Sequence, residues 1–82
     1  SNDESGYGRY DLAMIPIKSN EKAYLMEFKI SKTKKGMEEK AQKALKQIDE
    51  KKYDTKLKAR GIKNILKIGV AFYGKEVKVV FK

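Results

Sequence analysis

The sequence contains no cysteine and no histidine among its 82 residues. Their absence excludes disulfides, thiolate nucleophiles, imidazole bases and the zinc sites that these residues build. Carboxylates are then the side chains left to hold a metal, and their oxygen atoms suit Mg²⁺, Mn²⁺ or Ca²⁺. The sequence thus restricts any metal site to cations that prefer oxygen ligands.

Long hydrophobic runs are also absent, and there is a single proline. No apolar run approaches the ~18 residues of a membrane-spanning helix, and no signal-peptide pattern opens the chain. We therefore expect a cytoplasmic protein with no membrane partner. Hydrophobic residues make up 40% of the chain and charged residues 38%, which together with clear periodic segments is typical of one small globular domain.

Positive charge is abundant. The chain has 20 lysines and arginines and 11 aspartates and glutamates, which gives a net charge of +9. A field of this size favours polyanionic partners, most obviously nucleic acid. The alternative is a lysine-rich composition with no such partner.

The chain divides into periodic segments. Residues 1–8, SNDESGYG, predict a leader or loop, which leaves a domain over residues 9–82. The alternating segments RYDLAMIPI and AYLMEFKI flank the turn KSNEK and predict a hairpin. The C-terminal segment IKNILKIGVAFYGKEVKVVFK predicts a second hairpin, with its tight turn at Gly74 and Lys75.

Between the hairpins the period changes to that of a helix. Apolar residues recur at helical spacing at Met37, Ala41, Ala44, Leu45 and Ile48. Arg60 and Gly61 mark the end of the helical segment. One helix or two short ones fit between about residues 34 and 60, and we expect one long helix. The predicted fold is α+β, a four-stranded mixed sheet in the order strand, strand, helix, strand, strand. One helix leaves the second face of this sheet to be covered by a preceding helix, another domain or a second copy of the chain, a homodimer.

The segment YLMEFKI carries Glu27 and Lys29 within an otherwise apolar strand. Alternate side chains of a strand share a face, so the acid and the amine stand side by side. In a simple hairpin register Asp11 falls opposite residues 28–30 and approaches both. Two carboxylates with a nearby lysine suit metal-assisted hydrolysis. The alternative is a solvated surface pair that contributes a fraction of a kcal/mol.

Several longer stretches carry a resemblance to a known family. GRYDLAMIP is followed by YLMEFKI, a helix ending ALKQIDEKKY, and RGIKNILKIGVAFYGKEVKV. This pattern resembles the C-terminal nuclease-like domain of bacterial proteins that carry an AAA-type ATPase-like domain upstream, a group assigned to the PD-(D/E)XK nuclease superfamily. The resemblance covers about residues 6–82. It implies a restriction-endonuclease-like core, here lacking the N-terminal helix, and an upstream ATPase-like partner.

The resemblance also implies roles for individual residues. Asp11 and Glu27 match the two acids that bind Mg²⁺ or Mn²⁺, and Lys29 matches the catalytic lysine. Gln47 matches a helix position that lies near the metal in many exonuclease-like members, and Tyr53 matches the aromatic residue that follows it. A helical wheel puts Gln47 on the flank that carries Lys40 and Lys51.

The basic residues beyond this strand complete the hypothesis. Lys32, Lys34 and Lys35 follow the strand, and we expect them to contact the phosphate backbone together with Arg9 and Tyr53. A solvated loop is the alternative. The predicted function is Mg²⁺-dependent hydrolysis of nucleic acid, with DNA favoured over RNA. The alternative function is an inactive nuclease scaffold that docks nucleic acid or protein.

Overall fold

The computed structural model describes residues 10–17 and 22–82, with side chains described from Lys22 onward. The predicted leader, Arg9 and most of the first turn lie outside the described residues. The described chain forms β1 (Tyr10–Ile17), β2 (Lys22–Ile30), α1 (Met37–Lys51), α2 (Tyr53–Ala59), β3 (Asn64–Tyr73) and β4 (Glu76–Phe81). No helix in this part of the chain is long and apolar enough to cross a membrane.

The strands form a mixed sheet in the order β1-β2-β3-β4. β1 and β2 are antiparallel, β2 and β3 are parallel, and β3 and β4 are antiparallel. The parallel pair requires a long crossover, which the two helices supply. The predicted α+β class and mixed sheet are confirmed.

The prediction of one long helix is wrong, because the helical segment breaks at Lys52. This residue adopts the left-handed conformation with φ 56°, and its N–H bonds to the carbonyl oxygen of Asp49. Leu57 follows Ile48 by nine residues, about 2.5 turns of a continuous helix, and would face away from the sheet. The break turns Leu57 back into the core, where it is buried.

The core lies between the helices and one face of the sheet. The periodic residues of α1 are all buried, as their spacing predicts. Leu45 and Ile48 pack with β2, α2 and the segment before β3 in one cluster, which also contains Ala23, Leu25, Leu57 and Ile62. Met37 and Ala41 pack on Ala71 of β3 in a second cluster. This arrangement places the helix face of β2, which includes Glu27, under the end of α1.

The opposite face of the sheet carries larger apolar side chains that stay partly exposed. The rings of Phe28 and Phe72 stack there with centroids 6.0 Å apart. Ile30, Val77, Val79 and Phe81 are all exposed, Phe81 by 68% of its surface. Among the described residues the two helices thus leave this face uncovered, as expected, and its proposed covering by a second copy stays a prediction.

An ion-pair network ties α1 to β3 and β4. The Lys67 and Lys82 ammonium groups each donate to the Asp49 carboxylate at 2.6 Å, and Lys67 also lies 3.5 Å from Asp54. Hydrogen bonds from Lys67 and then Lys82 hold the pKa of Asp49 below its ordinary value. The same contact with Asp49 raises the pKa of Lys67. The network therefore stabilises the fold while Asp49 is ionised and Lys67 is protonated.

Removal of the Asp49 charge is expected to weaken the fold at neutral pH. Asp49→Asn should lower the free energy of unfolding by about 1 kcal/mol, a modest value because the network is partly exposed. Since the folded-state pKa of Asp49 is lowered, its contribution is present above about pH 4 and is lost as the pH falls. Urea unfolding from neutral to acid pH should show the variant and the wild type converging. Glu50→Gln, at an exposed position of the same helix, is the control, and a constant difference across pH would contradict the prediction.

Candidate functional site

Glu27 is a buried carboxylate in the middle of the sheet. It lies on the helix face of β2, in line with Ala23 and Leu25, and only 1% of its surface is exposed. In register it stands beside Gly69 of β3. A Cβ atom at Gly69 would collide with the carbonyl oxygen of Ala41 and lie 2.8 Å from the backbone nitrogen of Leu45. The missing side chain thus lets α1 pack directly on β3 next to Glu27.

Lys51 provides the counter-charge of Glu27. Its ammonium group donates to Glu27 Oε1 at 3.1 Å from the last turn of α1. A buried charge is costly unless it is paired and hydrogen-bonded, and this contact gives the Glu27 carboxylate such a partner inside the fold. The alternative of a solvated surface pair at Glu27 is therefore wrong. Sequence reasoning missed the pairing, although the helical wheel puts Lys51 on the flank of Gln47.

Asp11 lies in an irregular part of the β1 ladder. Tyr10 pairs with Phe28 and Ala13 pairs with Met26, with a register shift between them. Asp11 and Leu12 therefore stand opposite the single residue Glu27, as in a β-bulge. The expectation that Asp11 falls opposite residues 28–30 is corrected, because the irregularity moves its backbone to the level of Glu27. The Asp11 side chain lies outside the described part of the chain.

Lys29 and Gln47 flank the same region. Lys29 is half-buried, two residues beyond Glu27 and on the same face of β2. Gln47 is half-buried on α1, one helical turn before Lys51, so the two share a flank of the helix. The fold thus brings Glu27, Lys29 and the Gln47 flank to one side of the sheet, with the Asp11 backbone on the neighbouring strand.

The donor set suits a hard divalent cation. Glu27 is the one buried carboxylate among the described side chains, and no three Asp, Glu, His or Cys side chains in that part of the chain lie close enough together to hold a metal. Asp11 would add a second carboxylate from the bulge. Mg²⁺ is commonly held by one or two carboxylates, with water and substrate phosphate completing its shell. The residues therefore fit Mg²⁺ or Mn²⁺ better than a cation that needs a full protein cage.

The basic loop, residues 31–36, leaves the end of β2 and is held in place. The N–H of Ser31 donates to the Phe72 carbonyl at 2.7 Å, and its hydroxyl donates to the Thr33 carbonyl at 2.6 Å. The Gly36 N–H donates to the Thr33 hydroxyl at 3.0 Å. Lysine side chains on a pinned loop lose little additional backbone entropy when they bind phosphate.

The three loop lysines, Lys32, Lys34 and Lys35, are exposed, which both phosphate contact and a solvated loop predict. Lys34 lies 3.5 Å from Glu76 in an exposed pair, which contributes little and can be exchanged for phosphate. Tyr53 is half-buried and packs against the core. It also borders a groove lined by Lys56, Leu57, Ala59 and Arg60.

The comparisons with known proteins give one match. A family model described as the PD-(D/E)XK nuclease superfamily matches residues 1–82, the whole sequence. No curated protein and no solved structure gave a significant match. The family match covers the strands, the helices and every residue of the candidate site.

Proposed function

This chain belongs to the PD-(D/E)XK nuclease superfamily, and we propose that it is a nuclease domain that hydrolyses phosphodiester bonds with Mg²⁺ or Mn²⁺. The observation that carries the proposal is that Glu27 is buried in β2 while Asp11 lies at the same level on the neighbouring strand β1. A carboxylate is costly in a core. Lys51 is the partner of Glu27 in the metal-free fold, and a second acidic residue at the same level of the neighbouring strand is the feature that a divalent cation held by both acids would explain.

The proposed roles follow from position and chemistry. Asp11 and Glu27 hold the metal, which when bound supplies a Lewis acid and lowers the pKa of water. Lys29, on the same face as Glu27, positions the attacking water or stabilises negative charge on the phosphate. Gln47 supports the site from α1, on the side where Lys51 already meets Glu27.

The substrate is proposed from charge. The net charge of +9 and the exposed loop lysines favour nucleic acid bound through its phosphates, and we propose DNA before RNA. Contacts of this kind are independent of sequence and weaken with salt. Arg9 and Tyr53 are proposed as further contacts. An upstream ATPase-like domain and a cytoplasmic location belong to the same proposal.

Lys29→Met tests the catalytic part of the proposal. Met keeps the length of the side chain and removes the charge, so the variant should fold and bind Mn²⁺ while its cleavage rate falls about 10²- to 10³-fold. The measurement is cleavage of labelled single- and double-stranded oligonucleotides with Mg²⁺, with Mn²⁺ and with chelator. Lys46→Met, at an exposed position of α1, is the matched control and should cleave at the wild-type rate.

The alternative function, an inactive docking scaffold, predicts different results. Nucleic acid would bind with strong salt dependence, and its affinity would change neither with Mg²⁺ nor with loss of Asp11. Neither the wild type nor any variant would cleave it. Wild-type cleavage that persists in chelator, or that Lys29→Met leaves unchanged, would reject the proposed mechanism. Cleavage that requires the metal and Lys29 would reject the scaffold.

A further inference from the structure

The Glu27–Lys51 pair joins two groups with very different freedom to move. The Glu27 side chain is 2% exposed, whereas the Lys51 side chain is 35% exposed. Glu27 projects from the middle of a paired strand, while Lys51 is the last residue of α1, just before the break at Lys52. If the pair opens, Lys51 is therefore the member that leaves.

Resting on the proposed function, we propose that Lys51 is a built-in competitor of the metal: its ammonium group neutralises Glu27 until a divalent cation displaces it. Lys51 and a metal ion are both positive and need the same carboxylate, so contact of one with Glu27 Oε1 disfavours the other. The buried carboxylate keeps a cation partner in both states, which avoids an unpaired charge in the core.

The surroundings of Lys51 make this exchange inexpensive. A released ammonium group stays at the C-terminal end of α1, where the helix dipole favours positive charge. The side chain is long and already one-third exposed, so it reaches water without movement of the backbone. The affinity of the site for metal is therefore lowered by the strength of the Lys51 contact, and the metal-free protein remains folded.

Calorimetric titration of Mn²⁺ into the full chain tests this exchange without any activity measurement. Lys51→Met removes the competitor and should bind Mn²⁺ about tenfold more tightly than the wild type. Lys51→Arg keeps the charge and can hold the carboxylate through two donors, so it should bind Mn²⁺ no more tightly than the wild type. Lys46→Met removes the same charge from an exposed position of α1 and should change the affinity less than twofold.

Thermal unfolding supplies a second measurement on the same proteins. Without metal, Lys51→Met leaves Glu27 unpaired and should unfold at a lower temperature than the wild type. Saturating Mn²⁺ should restore most of the difference, because the metal takes over the neutralising role. Lys51→Gln repeats both measurements with a polar side chain in case the Met variant does not fold.

The outcomes separate this inference from the proposed function. If Lys51→Met and Lys51→Gln bind Mn²⁺ no more tightly than the wild type, the proposed competition is overturned. The proposed nuclease site still stands if Glu27→Gln abolishes Mn²⁺ binding. Absence of Mn²⁺ binding in every protein would overturn both. Tighter Mn²⁺ binding in Lys51→Met and Lys51→Gln, with the affinity of Lys46→Met unchanged, would establish the competition.

Discussion

Glu27→Gln is expected to abolish metal binding while the domain stays folded. Gln matches the shape of Glu but carries no charge, so the proposed metal ligand is lost without a cavity. We expect Mn²⁺ affinity to fall by more than about 100-fold, since loss of even an outer-sphere partner of a metal ligand costs 10- to 100-fold. Cleavage should fall with it. Calorimetry and the oligonucleotide assay measure the two effects.

Stability should respond differently from activity to this substitution. The amide introduced by Glu27→Gln requires no counter-charge, and Lys51 can turn to solvent from its partly exposed position. Breaking a buried ion pair is costly mainly because a charge is left unpaired in the core. Here the remaining charge is that of Lys51, which can reach water, so the free energy of unfolding without metal should fall by only about 1 kcal/mol. A functional carboxylate is thus expected to be expendable for folding.

A matched control separates the position of the charge from its number. Glu50→Gln removes one carboxylate from an exposed position of α1 and should leave Mn²⁺ affinity and cleavage unchanged. If Glu27→Gln unfolded the domain, the main role of Glu27 would be to stabilise the fold through its contact with Lys51. If the variant bound Mn²⁺ as tightly as the wild type, the metal would have to lie elsewhere.

Gly69→Ala is expected to produce the largest loss of stability. The added Cβ atom would collide with the Ala41 carbonyl and crowd the Leu45 backbone nitrogen at 2.8 Å. Both obstacles are backbone atoms of α1, so no side chain can rotate away and the helix itself must move. Overpacking of a core costs about 1–3 kcal/mol, and we expect a value at or above the upper end, roughly 3 kcal/mol. For a domain of this size that corresponds to a fall in melting temperature of about 12–24 °C.

The loss at Gly69 should extend to the site. Gly69 lies beside Glu27 in the sheet, and the helix that must move carries Gln47 and Lys51. Cleavage by any folded Gly69→Ala protein should therefore also fall, because Gln47 is the proposed supporting residue on that helix. Displacement of α1 by a single methyl group would then link core packing to the proposed site.

Gly74→Ala is the appropriate comparison because it separates space from backbone conformation. Gly74 has φ +60° and nothing within 4 Å of an added Cβ, so the cost is conformational, about 1–2 kcal/mol. Urea and thermal unfolding of both variants give the ranking. A smaller loss for Gly69→Ala than for Gly74→Ala would show that α1 packs less closely on β3 than described.

The local patterns of the sequence were sufficient for the elements and for much of the core. The spacing from Met37 to Ile48 predicted which residues of α1 are buried, since a helix of 3.6 residues per turn buries one stripe. Gly74 and Lys75 marked the β3–β4 turn. The helix break at Lys52 could not be predicted in this way, because neither proline nor glycine marks it. It is favoured by the tertiary burial of Leu57, which outweighs the local cost at Lys52.

The sequence by itself determined the chemistry available to this protein. Without cysteine or histidine, the chain was limited to carboxylates as ligands of any metal, and its net charge of +9 favours polyanionic partners. The period of a strand also required Glu27 and Lys29 to share one face. Tertiary structure alone decided that Glu27 is buried, that Lys51 neutralises it from 24 residues away, and that Asp11 stands at its level through a register shift. These features depend on how α1 and β1 pack against β2. Contacts between distant segments leave no periodic pattern in the chain.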